Sequence, residues 1–415
     1  MVEAGLTQLR RHRAVALRLP SWDTALVVGL FLVFALNFGA YRVFGDGVQY
    51  YSFVQRLFGD RPDASGYNFG VGLMNAPFYG VAKAVGAIGG HSATLERGSV
   101  TIASIFWALV AALVSIRIVR LLELPAAAFC GAAALFGSPV WYYASFSPSY
   151  SHASDAATFA LVAAGALGIW RSPELGWRIA TGAALGLAIA VRPFNLGVAA
   201  GCILALVAYR RIRDAVIVSA TAACTIAVLL ALPLSLGLSL THRVNGTSVS
   251  AGSVGFAPLS PLRMLFTPHR GLFIWTPVTF LAVLGLAMLL RRHKNRGYLV
   301  TLAAMGAGLL LMYVGLDWWD GGWSFSQRLL ASPVALYAVG LSGLLAVTSG
   351  SRRYIVMGVA VAATLWSVFL GMNHAFGASQ PDGAFAVAGK RSATQFLHRT
   401  WSYSRIRHLV DRVER

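Results

Sequence analysis

Residues 23–51 have the sequence DTALVVGLFLVFALNFGAYRVFGDGVQYY, in which a long apolar run is followed by an acid between two glycines. The apolar part, from about 23 to 41, is long enough to cross a membrane as one helix, since a spanning helix needs roughly 20 residues. Basic residues precede it and no small-residue cleavage site follows, so we expect a retained helix rather than a signal peptide. The acid, Asp46, is therefore predicted to stand at the boundary of the bilayer.

The rest of the chain shares the apolar character of this stretch. Of its 415 residues, 57% are hydrophobic and only 12% are charged, and the mean hydropathy is +0.65. Long apolar runs recur from one end to the other, which is typical of a polytopic membrane protein. We therefore predict an all-α polytopic membrane protein with about eleven spanning helices. The predicted segments are about 23–41, 98–119, 125–145, 154–170, 178–191, 194–209, 215–239, 271–290, 298–316, 329–349 and 354–373.

The net charge of +19 could suggest a nucleic-acid partner, but no basic stretch is organised into a module that reads nucleic acid. In membrane proteins, Lys and Arg concentrate in cytoplasmic loops and contact anionic lipid headgroups. Alternation from a cytoplasmic start puts every basic cluster between helices on the inner side, with membrane lipids as partners. These clusters are Arg117/Arg120, Arg171/Arg178, Arg210/Arg211/Arg213, Arg291/Arg292/Lys294/Arg296 and Arg352/Arg353.

The opposite side carries the long segments of mixed composition. They are about 42–97, 146–154, 241–270 and 317–328. A transporter more often has its polar groups in the middle of the membrane, between repeated halves, and the sequence has no detectable internal repeat. Polar groups gathered on one side favour an enzyme that works at a membrane surface.

The chain is predicted to form one transmembrane domain over residues 1–373, with a first outer loop at 42–97. Residues 374–415 form a basic tail whose apolar residues recur at helical spacing, so we expect an amphipathic helix on lipid headgroups. This places a basic segment outside. The alternative is a different number of late helices, which would put the tail in the cytoplasm.

Formation of a glycosidic bond requires a base for the acceptor hydroxyl, and a carboxylate is the usual base. Asp46 fits this role by its position, and Gly45 and Gly47 would let the backbone approach a ligand closely. The alternative is an ordinary aspartate in a helix-terminal turn. Among the competing outer acids, Asp155 is predicted to cap the helix that begins at 154.

A phosphate leaving group needs cations to hold its charge rather than a general acid. Arg192 is one candidate, because it lies in a turn between two helices that are short for a full crossing. His269 and Arg270 stand together before a helix, and Arg328 stands before another. The alternative for the last two arginines is anchoring at the membrane interface.

Residues that could contact substrate lie in the same outer segments. They are Tyr50, Tyr51, His152, Trp319, Asp320 and Trp323. The tryptophans could stack on a sugar, although tryptophans at an interface mostly belong to the aromatic belt. His152 could orient the substrate or the base, and its alternative role is structural.

Motifs for nucleotides and metals are missing from the sequence. It has no Walker loop, Rossmann glycine run, HExxH or Asp-x-Asp. We therefore expect no cofactor and a substrate that is already activated on a lipid phosphate, and we leave a metal requirement open.

Several outer stretches occur together in one order along the chain. They are Gly45-Asp46-Gly47 with Tyr50-Tyr51, Asn75-Ala-Pro77-Phe-Tyr79, Trp141-Tyr-Tyr143, Pro148-Ser-Tyr-Ser-His152-Ala, Val191-Arg-Pro193, Pro268-His-Arg-Gly-Leu-Phe273, and Trp318-Trp319-Asp-Gly-Gly-Trp-Ser-Phe325 with Arg328. In this set, spread from about 23 to 373, the chain resembles the GT-C membrane glycosyltransferases that use polyprenyl-phosphate sugars. That group includes proteins similar to protein O-mannosyltransferases and aminoarabinose transferases.

The resemblance implies a GT-C-like bundle with juxtamembrane helices at about 48–90 and Asp46 as catalytic base. It implies an inverting transferase on the outer face of a bacterial cytoplasmic membrane, with a polyprenyl-phosphate-linked sugar donor carrying a hexose such as mannose or a pentose. The acceptor would be a lipid, a glycan or a protein. Two features depart from larger relatives, the single acid at the base motif and the lack of a soluble C-terminal domain.

Two other functions stay open from the sequence alone. One is a transporter or flippase of lipid-linked sugars, which would need alternating access. The other is a scaffold subunit with a decayed site.

Overall fold

The computed structural model describes residues 21–60, 68–90, 93–238, 243–244, 247–248, 261–268, 270–314 and 324–377. Within these ranges the chain is almost entirely helical, as predicted. The helices are α1 Trp22–Phe38, α2 Gly47–Leu57, α3 Phe69–Gly89, α4 Ala93–Leu121, α5 Ala127–Gly137, α6 Val140–Ser145, α7 His152–Arg171, α8 Leu175–Val191, α9 Leu196–Ala208, α10 Ile212–Ser235, α11 Pro261–Phe266, α12 Leu272–Trp275, α13 Val278–Arg292, α14 Arg296–Val314, α15 Val334–Val347 and α16 Ser351–Gly377.

Three minor elements connect these helices. Short 3-10 helices cover Pro193–Asn195 and Arg328–Leu330. A two-stranded antiparallel hairpin pairs Arg243–Val244 with Thr247–Ser248. It is too small to change the all-α class.

The chain is a multi-pass membrane protein. Five of the described helices, α4, α7, α10, α14 and α16, are long and apolar enough to cross a bilayer alone. Each of the eleven predicted segments overlaps one or two helices. Two helices, α2 and α3, occupy the predicted first outer loop, where juxtamembrane helices were expected. Residues 378–415 lie outside the described ranges, so the amphipathic tail stays a prediction.

Two predicted segments are not single helices, so the prediction of one continuous helix for each is wrong. The segment 125–145 divides into α5 and α6 at Pro139, and the segment 271–290 divides into α12 and α13 at Pro277. Proline has no N–H to continue the preceding helix, but it fits the start of a new one. Hydropathy does not detect such breaks because both arms remain apolar.

Small residues let pairs of helices approach closely. A Cβ on Gly285 of α13 would overlap the backbone of Gly340 on α15, and a Cβ on Gly197 of α9 would overlap Gly308 on α14. Helices in a bilayer associate mainly through such packing, since lipid provides no hydrophobic drive between them. These contacts hold α13 to α15 and α9 to α14.

At the end of the bundle away from α2 and α3, residues of the predicted basic clusters form ion pairs with acids near other helix ends. Lys294 pairs with Glu123 at 2.7 Å. The Asp214 carboxylate pairs with two arginines, Oδ1 with Nε of Arg178 and Oδ2 with Nε of Arg211, each at 2.5 Å. The meeting of these loops agrees with the predicted alternation, which put all of these clusters on one side.

We expect Gly285→Ala to destabilise the bundle, because its methyl group would meet backbone atoms that cannot move aside. Overpacking of this kind costs about 1–3 kcal/mol, so the melting temperature in detergent should fall. Gly29→Ala is the matched control, since Gly29 is also inside a helix and nothing lies within 4 Å of its added Cβ. Equal melting temperatures for the two variants would contradict close packing at Gly285.

Candidate active site

The loop after α1 is fastened to the loop after α6. The Ala40 N–H donates to the Ser145 carbonyl at 2.8 Å. The Ser149 hydroxyl accepts from the Phe44 N–H at 3.2 Å and donates to the Phe44 carbonyl at 3.0 Å. These bonds fix the backbone immediately before Asp46.

The two glycines beside Asp46 serve this fastening. Gly45 has a φ of +58°, in the left-handed region that favours glycine. A Cβ on Gly45 would overlap the Tyr150 hydroxyl, and a Cβ on Gly47 would overlap Ser149. Their small size was expected to let a ligand approach the backbone, whereas in the structure it makes room for Tyr150 and Ser149 of this chain.

Asp46 precedes α2 but does not cap it with its side chain. Its Oδ2 lies 3.7 Å from Nη1 of Arg328, with 37% of the Asp46 side chain and 17% of the Arg328 side chain exposed. The structure therefore brings together the predicted base and one predicted phosphate-binding cation. Both groups retain access to a small molecule.

Tyr143 of α6 fixes the backbone of Phe325, three residues before Arg328. The Tyr143 hydroxyl accepts from the Phe325 N–H at 3.0 Å and lies 3.2 Å from the Phe325 carbonyl, to which it donates. The Phe325 ring is fully buried and stacks on Tyr142 with centroids 4.7 Å apart. Ser326 then turns the chain with a φ of +53°. A buried aromatic cluster thus positions the segment that leads to Arg328.

Tyr150 lies between the Asp46–Arg328 pair and His152. The Arg328 guanidinium carbon is 5.4 Å from the centroid of the Tyr150 ring. The Tyr150 ring is also nearly parallel to the His152 ring, with centroids 6.1 Å apart and planes at 16°. Burial raises the pKa of Tyr150, and the Asp46 carboxylate raises it further, while Arg328 lowers it. Tyr150 is therefore a neutral hydroxyl at physiological pH.

Arg192 belongs to a buried network at the start of α7. Its Nη1 lies 3.2 Å from Oδ2 of Asp155 and 3.3 Å from Nδ1 of His152. Asn195 donates to the other Asp155 oxygen at 2.7 Å. The prediction that Asp155 caps its helix is wrong, because its carboxylate instead compensates a buried arginine.

Arg270 is almost wholly enclosed, with 1% of its surface exposed. Its charge acts on His374 of α16. The ring of Trp275, five residues after Arg270, packs on Phe325 with centroids 5.6 Å apart. The same aromatic cluster therefore connects the surroundings of Arg270 and Arg328.

The remaining predicted site residues fall into two groups. Tyr50 and Tyr51 are buried among side chains of α2, α3, α4, α7 and α8, and the Tyr50 hydroxyl accepts from Asn68 at 3.1 Å. His269, Trp319, Asp320 and Trp323 lie outside the described residues, so their roles stay predictions.

Sequence reasoning gave no role to three residues that organise the site. They are Tyr143, Ser149 and Tyr150. All three lie in the stretches that carry the family resemblance, which was a signal of importance. Their functions depend on partners about 100 to 180 residues away in the chain, and spacing alone cannot identify such partners.

An apolar groove of about 600 Å³ lies between α3 and α4. Its lining includes Tyr41, Phe78, Val85, Leu95 and Ile102. Tyr41 is five residues before Asp46, so the groove adjoins the loop that carries the acid.

The described ranges hold no group of three or more His, Cys, Asp or Glu side chains that could bind a metal ion. The metal requirement stays open.

The fold is similar to those of two membrane transferases. ArnT from Cupriavidus metallidurans, solved with bound undecaprenyl phosphate, has a TM-score of 0.52 at 18% identity, over 90% of this chain and 69% of ArnT. The archaeal oligosaccharyltransferase AglB from Archaeoglobus fulgidus, solved with an inhibitory peptide and a dolichol-phosphate, has a TM-score of 0.52 at 13% identity, over 84% of this chain and 55% of AglB. No protein-family model matches the chain, and no curated protein matches it by sequence.

These likenesses are of fold, and they confirm the predicted GT-C-type architecture. The chain spans about half the length of AglB, 55%.

We expect Tyr143→Phe to destabilise the site by leaving both the N–H and the carbonyl of Phe325 unpaired in a buried position. The expected cost is about 1–3 kcal/mol, measured as a lower melting temperature in detergent. Tyr298→Phe is the control, because Tyr298 is equally buried and its hydroxyl has no hydrogen-bond partner in the described part of the chain. A control that melts as early as Tyr143→Phe would contradict this role for the Tyr143 hydroxyl.

Proposed function

We propose that this protein is an inverting glycosyltransferase that moves one sugar from a polyprenyl-monophosphate carrier to a lipid, glycan or protein acceptor. The active site would lie on the outer face of a bacterial cytoplasmic membrane. The observation that carries the proposal is the meeting of Asp46 and Arg328 at 3.7 Å. A fold similar to ArnT and AglB supports the same reaction class.

In the proposed reaction, Asp46 accepts the proton of the acceptor hydroxyl. The acceptor oxygen attacks the anomeric carbon as the bond from that carbon to the phosphate oxygen breaks. The bonding electrons leave with the polyprenyl phosphate, and a single displacement inverts the configuration. A phosphate oxygen is a weakly basic leaving group, so no general acid is needed.

Arg328 is proposed to hold the leaving phosphate. A guanidinium matches phosphate geometry and can donate two parallel hydrogen bonds. A partly exposed ion pair of this length is weak, so a phosphate can replace Asp46 as the partner of Arg328 and leave the carboxylate free to act as base. Arg270 is almost wholly enclosed, so it is proposed to act on the phosphate through its charge rather than by direct contact. His269 of the same loop is proposed as a further phosphate-binding residue.

The apolar groove between α3 and α4 supports a substrate with a hydrocarbon chain. Pockets that bind apolar ligands have such a lining with few polar groups. Tyr41 belongs both to the groove and to the loop that leads to Asp46. A chain lying in the groove would keep the reacting group of its lipid near the acid.

We expect Asp46→Asn to lower the transfer rate by at least about 100-fold, since an amide cannot take the proton from the hydroxyl that attacks the sugar. The measurement is sugar transfer by purified protein from a synthetic polyprenyl-phosphate sugar, without a gradient. A transporter would give no product under these conditions.

The control is Asp60→Asn. Asp60 belongs to the same loop but pairs with Lys83, and it should retain turnover near that of the wild type. Wild-type turnover by Asp46→Asn would exclude Asp46 as the base.

We expect Arg328→Gln to weaken binding of sugar-free polyprenyl phosphate by about 10- to 100-fold, the usual effect of losing hydrogen bonds to a charged group. Arg328→Lys should bind with intermediate affinity, because it keeps the charge and loses the planar fork. Binding can be measured as inhibition of transfer by the added lipid phosphate. Arg352→Gln, an exposed arginine at the start of α16, is the control, and an equal effect there would contradict a phosphate site at Arg328.

A further inference from the structure

The hydrogen bond between His152 and Arg192 assigns the tautomer of the histidine. Nδ1 of His152 lies 3.3 Å from Nη1 of Arg192. An arginine guanidinium has only donors, so Nδ1 must be the acceptor. A histidine that accepts at Nδ1 is neutral and carries its proton on Nε2.

The arginine that imposes this tautomer is itself held firmly. Asp155 is fully buried and lies 3.2 Å from the same Nη1 atom. Asn195 donates to the second Asp155 oxygen at 2.7 Å and to the Ala188 carbonyl at 2.8 Å. Arg192 and Asn195 are only 7% and 1% exposed, so the three side chains form a buried network in which the Asp155 carboxylate compensates the Arg192 charge.

The ring of His152 belongs to the same cluster as the ion pair. Its centroid lies 4.2 Å from that of Tyr143, and it is nearly parallel to the Tyr150 ring, which Arg328 also approaches at 5.4 Å. The charge of Arg328 also acts on His152. Within the described ranges, the hydrogen bond at Nδ1 is the only one made by the imidazole. The Nε2–H therefore has no acceptor among the described residues, in a side chain that is 2% exposed.

We propose that Asp155, Arg192 and Asn195 form a positioning network that fixes His152 as a neutral Nε2–H donor to a substrate oxygen beside Asp46. The oxygen belongs to a sugar hydroxyl or to the phosphate. This inference rests on the proposed function for the identity of the ligand. It gives Arg192 a different task from Arg328, since Arg192 acts through the histidine. It also leaves Asp46 as the base, because Nδ1 is already occupied by a donor.

The tautomer can be measured without turnover. Full-length protein with ¹⁵N-labelled histidine is placed in lipid nanodiscs, and the His152 signal is assigned by its loss in His152→Gln. We expect a proton on Nε2 and none on Nδ1. The double variant Arg192→Met with Asp155→Asn removes both charges together, so that neither is left buried alone, and it should populate the Nδ1–H form. A wild-type ring protonated at Nδ1, or no change in the double variant, would overturn the network.

The donor role is tested by two substitutions that both remove the ring. His152→Gln places an amide N–H near the position of Nε2, whereas His152→Asn places one near Nδ1. We expect His152→Gln to transfer sugar within about fivefold of the wild type and His152→Asn to lose about 10- to 100-fold, the effect of one hydrogen bond to substrate. A purely structural role would affect both variants alike, and equal losses would overturn the proposal.

The two measurements separate this inference from the proposed function. Absence of sugar transfer by the wild-type protein would contradict the proposed function and the substrate role of His152 with it. The NMR measurement would still confirm or overturn the network that holds the ring. Transfer by the wild type together with the wrong tautomer would contradict this inference alone.

Discussion

The ion pair of Asp46 and Arg328 joins loops that lie far apart in the chain, and the rest of the site depends on their meeting. A pair with 37% of its acid exposed contributes at most about 1 kcal/mol to stability, so it cannot hold the loops together. Hydrogen bonds to backbone do this instead, from Ser149 on one side and Tyr143 on the other. The hydrogen-bonded loops therefore position Asp46 and Arg328, whose ion pair adds little to stability. A ligand could engage either charge at little cost to the fold.

The second arginine–aspartate pair has the opposite character. Asp155 is fully buried and Arg192 nearly so, and removing one partner of such a pair costs about 3–5 kcal/mol because the other charge is left uncompensated. A ligand phosphate would have to displace a buried carboxylate to reach Arg192. At Arg328 a phosphate would displace only a weak, partly exposed contact with Asp46. The two arginines therefore differ in burial and pairing, which is why we propose phosphate binding for Arg328 and a positioning role for Arg192.

Much of the fold could be predicted from the sequence, because hydropathy and loop charge are local properties. They identified the apolar segments, and the family resemblance gave α2 and α3 in the first outer loop. The break at Pro139 was missed, since the flanking helices have the same composition. At the site, Asp46 and Arg328 were identified as candidates by their positions at helix ends. The partners of Asp155 and the reason for a glycine at position 45 could not be predicted, because both depend on residues that are distant in sequence and adjacent only in the folded structure.

The most direct test of this account is a cryo-electron microscopy structure of the protein with bound polyprenyl phosphate. We expect phosphate density within hydrogen-bond distance of the Arg328 guanidinium, on the side facing the Asp46 carboxylate. Phosphate bound at the opposite, basic end of the bundle, or an Asp46 side chain directed away from the bound lipid, would contradict it.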